Sequence, residues 1–200
     1  MTRIVAGRAR GRRLAVPAGE GTRPTSDRAR DGWYSTVESM LGPLHGTRAL
    51  DLYAGSGALG LEALSRGAGH VLLVEQDRAA AQVIRSNVDA VGLPGAVVSV
   101  QSAVRALAAA PAAPYDLVLL DPPYALGDGE VRDVMRALAR GGWLSAGAVV
   151  VVERPTRGGA FGWPEELVAD RSRRYGEGTL WYGRPRTERE DAHDQPGSAS

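Results

Sequence analysis

The 200-residue sequence contains no cysteine. This absence excludes disulfides, zinc–thiolate sites and cysteine nucleophiles, and it fits the reducing cytoplasm. Long apolar runs are also absent, since stretches such as AGAVVVVERP fall short of the roughly 20 residues that cross a bilayer. The first residues are positively charged without an apolar segment, so no secretory signal is predicted. We therefore predict a cytoplasmic protein with no membrane contact.

Histidine is scarce, which limits metal and triad chemistry. The three histidines, His45, His70 and His193, are far apart in the sequence and have different neighbours. Their spacing matches neither a metal-ligand pattern nor a nucleophile–histidine–acid arrangement. The sequence predicts no metal site.

Lysine is absent, so all 24 basic residues are arginine. The net charge of only +1 hides an asymmetry: residues 1–30 carry eight arginines against Glu20 and Asp27, a local charge of +6. A crowded basic segment is typical of nucleic-acid binding, although it can also be a solvated surface. RIVAG (3–7) and RRLAV (12–16) have the short alternating pattern of a β-hairpin. We predict that residues 1–24 form a basic hairpin arm that binds RNA.

From residue 47 the chain alternates between apolar strands and helices. This pattern indicates an α/β fold with a mostly parallel sheet covered by helices on both faces. YGEG, between two strand-like runs, adds an antiparallel hairpin at the sheet edge, which gives seven strands in all. We predict one domain over residues 25–186 and a disordered tail over 187–200. The predicted strands are 48–53, 70–75, 96–100, 115–120 and 147–153; the predicted helices are 26–41, 58–67, 78–92, 102–110 and 129–140; the edge hairpin is 166–185.

A glycine-rich loop follows the first of these strands. DLYAGSGALG places Gly55, Gly57 and Gly60 between a strand and a helix, and Glu75 ends the next strand. The pattern is typical of a nucleotide-binding loop, in which the acid holds ribose hydroxyls, and it admits NAD, FAD or S-adenosylmethionine (SAM). Asp51, just before the loop, favours an amino-bearing or cationic ligand over a pyrophosphate.

The strand YDLVLL runs directly into DPPY, residues 121–124. Two consecutive prolines hold the backbone extended and donate no N–H, so the segment is either a plain strand terminator or a rigid clamp. Ligands of open α/β sheets bind beyond the carboxyl ends of the strands, where the strand order reverses. In a 3-2-1-4-5 order, the glycine loop and DPPY face the same crevice.

DPPY in this place is the signature of SAM-dependent methyltransferases that act on amino groups. RIVAGRARGRRLAVP, TRPTSDRARD, DLYAGSGALGLEALSRGA, VEQDRAA and LLDPPY together resemble the bacterial 16S ribosomal RNA guanine-N2 methyltransferase family RsmD, from about residue 3 to about 185. The resemblance implies a Rossmann-like class I methyltransferase that uses SAM. It further implies methylation of the exocyclic N2 amine of a specific guanine in 16S ribosomal RNA or an assembling small subunit.

The resemblance also implies roles for individual residues. Asp121 and the Pro122 carbonyl would hold the guanine amine, and Tyr124 would stack on the flipped base. The implied SAM-binding residues are Asp51, Tyr53, Gly55, Ser56, Gly57, Glu75, Gln76, Ser102 and Asp121. The implied RNA-binding residues are Arg10, Arg12, Arg13, Arg23, Thr25, Arg28, Pro123 and Tyr124.

Two features depart from the family pattern. Asp31-Gly32-Trp33-Tyr34 stands where relatives have an acid, a small residue and LF, and a mid-helix glycine costs about 1 kcal/mol relative to alanine, so a looser helix is expected. At the end of the third strand, Gln101 and Ser102 replace the usual acid, which leaves the adenine contact open. The alternative functions are a DNA adenine-N6 or cytosine-N4 methyltransferase and a non-catalytic RNA-binding module.

Overall fold

The computed structural model describes residues 2–17 and 27–187. In chain order, the elements are β1 (Thr2–Arg3), β2 (Arg13–Leu14), α1 (Asp27–Leu41), β3 (Arg48–Asp51), α2 (Ala58–Ser65), β4 (His70–Glu75), α3 (Arg78–Val91), β5 (Ala96–Val100), α4 (Ala103–Leu107), β6 (Tyr115–Leu120), α5 (Asp128–Arg140), β7 (Leu144–Pro155), β8 (Leu167–Tyr175) and β9 (Gly178–Pro185). The predicted Ser26 and Thr25 helix caps, the 17–24 loop beyond Pro17 and the tail beyond Thr187 lie outside the described residues.

Seven strands form one sheet in the order β5-β4-β3-β6-β7-β9-β8. The pairs from β5 to β7 are parallel, whereas β9 pairs antiparallel with both β7 and β8. The predicted 3-2-1-4-5 order and the antiparallel edge hairpin are therefore confirmed. The strand order reverses between β3 and β6, and this places a ligand crevice at their carboxyl ends.

Successive side chains of the strands pack alternately into two separate hydrophobic cores, one on each face of the sheet. On one face, Leu117 and Leu119 of β6 pack in a cluster with α1, α2 and the N-terminal hairpin. On the other face, Val118 and Leu120 pack with α4 and α5. Burial on both faces explains why these strands are apolar throughout rather than alternating.

The N-terminal hairpin is present, but its paired strands are shorter than the predicted 3–7 and 12–16. Only Thr2–Leu14 and Arg3–Arg13 pair as strand partners. The amides of Val5 and Ala6 donate to the Glu62 carboxylate instead, at 2.8 and 2.9 Å. Ile4 still donates to the Arg12 carbonyl and accepts from the Gly11 amide, both at 2.9 Å, and beyond it the α2 carboxylate satisfies the backbone donors.

Helix α1 is continuous through Gly32, and the expected looseness there stays a prediction. A Cβ at Gly32 would clash with the ring and hydroxyl of Tyr175 at the end of β8. The glycine therefore lets α1 approach the edge hairpin, and packing offsets its low helix propensity. Trp33, Tyr34 and Val37, on the inner side of α1, are fully buried in the core.

Candidate active site

The glycine loop and DPPY leave neighbouring strands at the same edge of the sheet. Asp51 of β3 pairs with Leu119 of β6, and the Leu52 amide donates to the Leu119 carbonyl at 3.1 Å. Gly55 lies four residues beyond Asp51, and Asp121 lies two residues beyond Leu119. Both segments therefore border the crevice where the strand order reverses.

Two structural reasons explain why the loop has glycine at these three positions. Gly55 and Gly57 have φ of 55° and 79°, a left-handed conformation that favours glycine. A Cβ at Gly55 would meet no atom within 4 Å, so the loop presents open backbone there. A Cβ at Gly60 would lie 2.5 Å from a methyl of Leu73, which shows that this glycine permits close packing of α2 on the sheet.

Glu75 supports the glycine loop from the end of β4. One of its carboxylate oxygens accepts from the Gly55 amide at 2.9 Å, and the other accepts from the Asp77 amide at 2.8 Å. Asp77 in turn caps α3 by accepting from the Ala80 amide at 2.7 Å. Gln76, between the two acids, is exposed at the rim. Each oxygen of Glu75 retains lone pairs that ribose hydroxyls could use.

Asp51 is fully buried beneath the loop. Its Oδ2 accepts from the Gly60 amide at 3.0 Å, and the Tyr53 amide also stabilises the carboxylate, but Oδ1 has no hydrogen bond of good geometry among the described residues. Burial, with a contribution from the negative charge of Glu75, raises the pKa of Asp51 to about 7. A buried carboxylate with an unused oxygen suits a ligand that brings an amino group or a cation.

The DPPY segment is rigid and is fixed from the next strand. Pro122 is buried, Asp121 is half-buried, and Pro123 and Tyr124 are exposed. The Leu126 amide closes a turn onto the Pro123 carbonyl at 2.9 Å. Arg154 of β7 donates to the Leu126 carbonyl at 2.6 Å and to the Asp128 carboxylate at 2.7 Å. The exit of β6 is thus held in place by β7, and the role of DPPY as a clamp for a ligand stays a prediction.

Tyr124 is the one exposed aromatic side chain among residues 2–17 and 27–187, with 51% of its surface accessible. Its hydroxyl donates to Glu153 at 3.1 Å, which fixes the ring at the mouth of the crevice. Burial of the hydroxyl, followed by the charges of Glu153, Asp121 and Glu177, raises the pKa of Tyr124 to about 12. An exposed and oriented ring is a ready stacking surface.

Sequence reasoning missed Glu153. This residue lies near the end of β7, in the run VVVVE, just as Glu75 ends HVLLVE. An acid that follows a buried strand at its carboxyl end is the signal that could have found it. Burial raises the pKa of the Glu153 carboxyl.

The remaining predicted cofactor-binding residues, Ser56, Ser102 and Tyr53, make contacts within the protein. Ser56 lies in the loop, and its carbonyl accepts from the Asn87 side chain at 2.8 Å. Ser102 caps α4, because its hydroxyl accepts from the Arg105 amide at 3.3 Å. Tyr53 packs on the α5 side of the sheet, and burial raises its pKa to about 12. Ser102 and Tyr53 therefore have structural roles, and their SAM contacts stay predictions.

The predicted RNA-binding arginines are not gathered at the clamp. Arg10, Arg12, Arg13 and Arg28 are exposed, and Arg12 donates to the Ala90 carbonyl at 2.8 Å. The hairpin turn borders a groove of about 650 Å³ lined in part by the residues just before β3, β4 and β5, at the amino edge of the sheet. The hairpin turn thus lies toward the opposite edge of the sheet from the glycine loop, and RNA contact by these arginines stays a prediction. Arg23 and Thr25 lie outside the described residues.

Arg30 differs from its exposed neighbours because it is buried and paired. It donates to the Asp27 carboxylate at 2.7 Å and to the Arg3 carbonyl at 2.6 Å. Its contribution to the basic arm is therefore structural.

Among residues 2–17 and 27–187, no group of three or more histidine, aspartate or glutamate side chains could hold a metal ion. Within the same ranges, the helices lack either the length or the apolar character to span a bilayer.

Comparisons with known proteins agree with this geometry. A family model described as "Conserved hypothetical protein 95" matches residues 2–184. Ribosomal RNA small subunit methyltransferase D of Escherichia coli is 39% identical over 158 residues, which covers 78% of this chain and 76% of the relative. The protein of that name from Haemophilus influenzae is 37% identical over 155 residues and covers 76% and 77%. The solved structure of yhhF from Escherichia coli has a TM-score of 0.80 and 32% identity, covering 92% of this chain and 97% of that one.

Proposed function

Because the chain belongs to the RsmD family of ribosomal RNA small subunit methyltransferases, we propose that it methylates the N2 amine of a specific guanine in 16S ribosomal RNA. The methyl donor is SAM, and the substrate is the RNA or an assembling small subunit in the cytoplasm. One observation carries the proposal: the glycine loop and DPPY leave adjacent parallel strands, so a donor and an acceptor base would share one crevice.

The residues of the loop fit SAM. Asp51 offers an unused buried oxygen to an amino group or cation, and Glu75 offers lone pairs to ribose hydroxyls. Gly55 leaves the backbone open to close approach. When bound, SAM supplies a methyl group on a positively charged sulfur, which makes that carbon electrophilic.

Asp121 and Pro122 would prepare the acceptor amine. The lone pair of an aryl amine is delocalised into the ring, so the amine is a poor nucleophile. The Asp121 carboxylate and the Pro122 carbonyl can accept its two hydrogens, which polarises the nitrogen and aims its lone pair. Such a step depends mainly on positioning. Because the amine becomes acidic once it is methylated, Asp121 does not have to be a strong base.

Tyr124 would stack on the target guanine after the base has flipped away from its neighbours in the RNA. Flipping a nucleotide costs a few kcal/mol, and less in a loop than in a duplex. Stacking on an aromatic ring returns about 1–3 kcal/mol. The exposure of Tyr124 and its fixed hydroxyl are what such a platform requires, because the ring is already oriented before the base arrives.

The hairpin arm would contact RNA beyond the target base. Its exposed arginines include Arg10, Arg12 and Arg13, and its backbone is held by α2 and α3. The Asn87 side chain bonds both the arm, at Ala15, and the cofactor loop, at Ser56. The arm is thus a fixed basic surface that reaches the loop at Ala15, which suits the phosphates of a folded RNA.

The deciding experiment is incubation of the protein with methyl-labelled SAM and small ribosomal subunits from a methylase-deficient strain. We expect label on the N2 amine of one guanine of 16S RNA, mapped by nuclease digestion and mass spectrometry. A parallel incubation with duplex DNA tests the alternative substrate. Label in DNA, label on an adenine or cytosine amine, or no transfer to RNA would refute the proposal.

A further inference from the structure

Asp121 and Glu153 directly follow a pair of neighbouring residues in β6 and β7, at the edge of the crevice. Leu120 of β6 pairs with Val152 of β7, so Asp121 and Glu153 occupy the next positions of the same parallel register. Leu119 and Val151, two residues earlier on each strand, face the core that contains α1 and α2. Glu153, within β7, projects toward that face because strand side chains alternate, and the extended backbone expected before Pro122 directs Asp121 to the same side. Neighbouring strands lie about 4.8 Å apart, which sets the scale of their separation.

Two neighbouring residues constrain the position of the Glu153 side chain. The Glu153 carboxylate lies against Gly178 in the adjacent strand β9, where a Cβ would force it to shift. The Tyr124 hydroxyl donates to Oε1 at 3.1 Å, which ties the carboxylate to the proposed stacking ring. A carboxylate offers about four lone-pair positions, so this bond leaves capacity for further donors.

We propose that Glu153 reads the target base by accepting the N1–H of guanine while Asp121 and the Pro122 carbonyl hold the N2 amine. This inference rests on the proposed function and adds the residue that selects guanine. The Watson–Crick edge of guanine presents the N1–H and the N2 hydrogens side by side, and two adjacent carboxylates match these donors. Adenine N1 and cytosine N3 are acceptors, so an ionised Glu153 repels them. Buried polar groups left unpaired by the wrong base give strong discrimination.

The test compares bases that differ at N1. Small-subunit RNA is prepared with guanine, 2-aminopurine or 7-deazaguanine at the methylated position. 2-Aminopurine keeps the N2 amine but has an acceptor at N1, whereas 7-deazaguanine keeps the whole Watson–Crick edge. For the wild-type protein we expect kcat/KM to fall about 100-fold with 2-aminopurine, as for loss of a hydrogen bond to a charged group, and to change little with 7-deazaguanine.

Glu153→Gln tests the residue itself, because its amide can donate to the N1 acceptor of 2-aminopurine. We expect kcat/KM of this variant on guanine to fall about 100-fold, so that the ratio of kcat/KM on guanine to kcat/KM on 2-aminopurine comes near one. Glu177→Gln, the control, removes a nearby exposed carboxylate and should keep the wild-type ratio.

A wild-type ratio in Glu153→Gln would overturn the inference and leave Glu153 as a residue that only positions Tyr124. Equal rates of the wild-type protein on guanine and 2-aminopurine would overturn it without any variant, so the result does not depend on the folding of Glu153→Gln. Methylation of neither RNA by the wild-type protein would refute the proposed function itself, which is a distinct outcome.

Discussion

Two carboxylates, Glu62 and Asp51, are fully buried in adjacent parts of the same face, and the fold uses them in opposite ways. Glu62, on α2, accepts the amides of Val5 and Ala6 and the side chain of Arg66, the last at 3.0 Å. It also lies 3.6 Å from the buried Arg30 guanidinium. This carboxylate is saturated, and its partners attach the hairpin arm to the core.

Asp51, beneath the glycine loop, has the Gly60 amide on one oxygen and no hydrogen bond of good geometry among the described residues on the other. Its pKa is raised to about 7, primarily by burial. A saturated buried acid holds structure together, whereas an undersatisfied one is retained at a stability cost, and such costs concentrate at functional sites. The comparison therefore distinguishes Glu62, which attaches the hairpin arm to the core, from Asp51, which lies at the candidate cofactor site.

The strongest test of the structural side is Glu62→Ala. Removal of one partner of a buried ion pair costs about 3–5 kcal/mol, and two arm amides would also lose their acceptor. We expect the free energy of unfolding, measured by denaturant titration, to fall by this amount. The matched control is Glu38→Gln, which removes an exposed partner of the same Arg66 and should cost at most about 1 kcal/mol. Equal losses in both variants would remove the distinction drawn for Glu62.

The strongest test of the functional side is Asp121→Ala. We expect turnover to fall by about 10²–10³-fold while SAM affinity, measured by calorimetry, falls far less, because this carboxylate acts mainly on the acceptor amine. Asp116, an acid at the other end of β6, binds the Arg48 amide and the Ser145 hydroxyl. Asp116→Asn should therefore lower stability and leave turnover unchanged. If Asp121→Ala lost turnover and SAM binding in equal measure, Asp121 would be structural.

A pH titration sharpens the comparison at Asp51. An unfolded aspartate has a pKa of about 3.9, and the folded value is about 7. Between these values the folded protein holds a proton that the unfolded chain has released. Stability therefore falls as the pH rises, by up to about 1.4 kcal/mol per unit, and levels off above pH 7. Asp51→Asn lacks this proton, so its stability relative to wild type should increase with pH across the window. A constant difference between the two proteins would contradict the prediction.

The smallest expected effect concerns the arm. Deletion of the arm is a poor test, because Ile4 and Leu14 are core residues. Replacement of Arg10, Arg12 and Arg13 by alanine should instead weaken RNA binding and reduce the salt slope of log K by about one per phosphate contact. Arg136→Ala, an exposed arginine of α5 paired with Asp133, is the control. Unchanged RNA affinity in the triple variant would exclude the arm as an RNA-binding surface.

Much of the fold and part of the site could be predicted from local patterns. Strands 70–75, 96–100 and 115–120 have the predicted bounds. For 70–75 and 115–120 the reason is that buried parallel strands read as continuous apolar runs. The glycine loop and DPPY were predictable because backbone sterics at glycine and proline act within a few residues. Glu153, Asn87 and Glu62 were missed, since each acts on residues about 30 to 70 positions away.

The sequence by itself determined the strand and helix periodicity, the left-handed turns at Gly55 and Gly57, and the stiff exit of β6 into DPPY. Only the tertiary structure decided that Glu62 would be saturated and Asp51 would not, or that Gly32 would receive the ring of Tyr175. The physical reason is the separation along the chain between the groups that interact. Dihedral preferences and hydrophobic patterning are encoded within a few neighbouring residues, whereas the environment of a buried charge depends on groups brought together from distant parts of the chain.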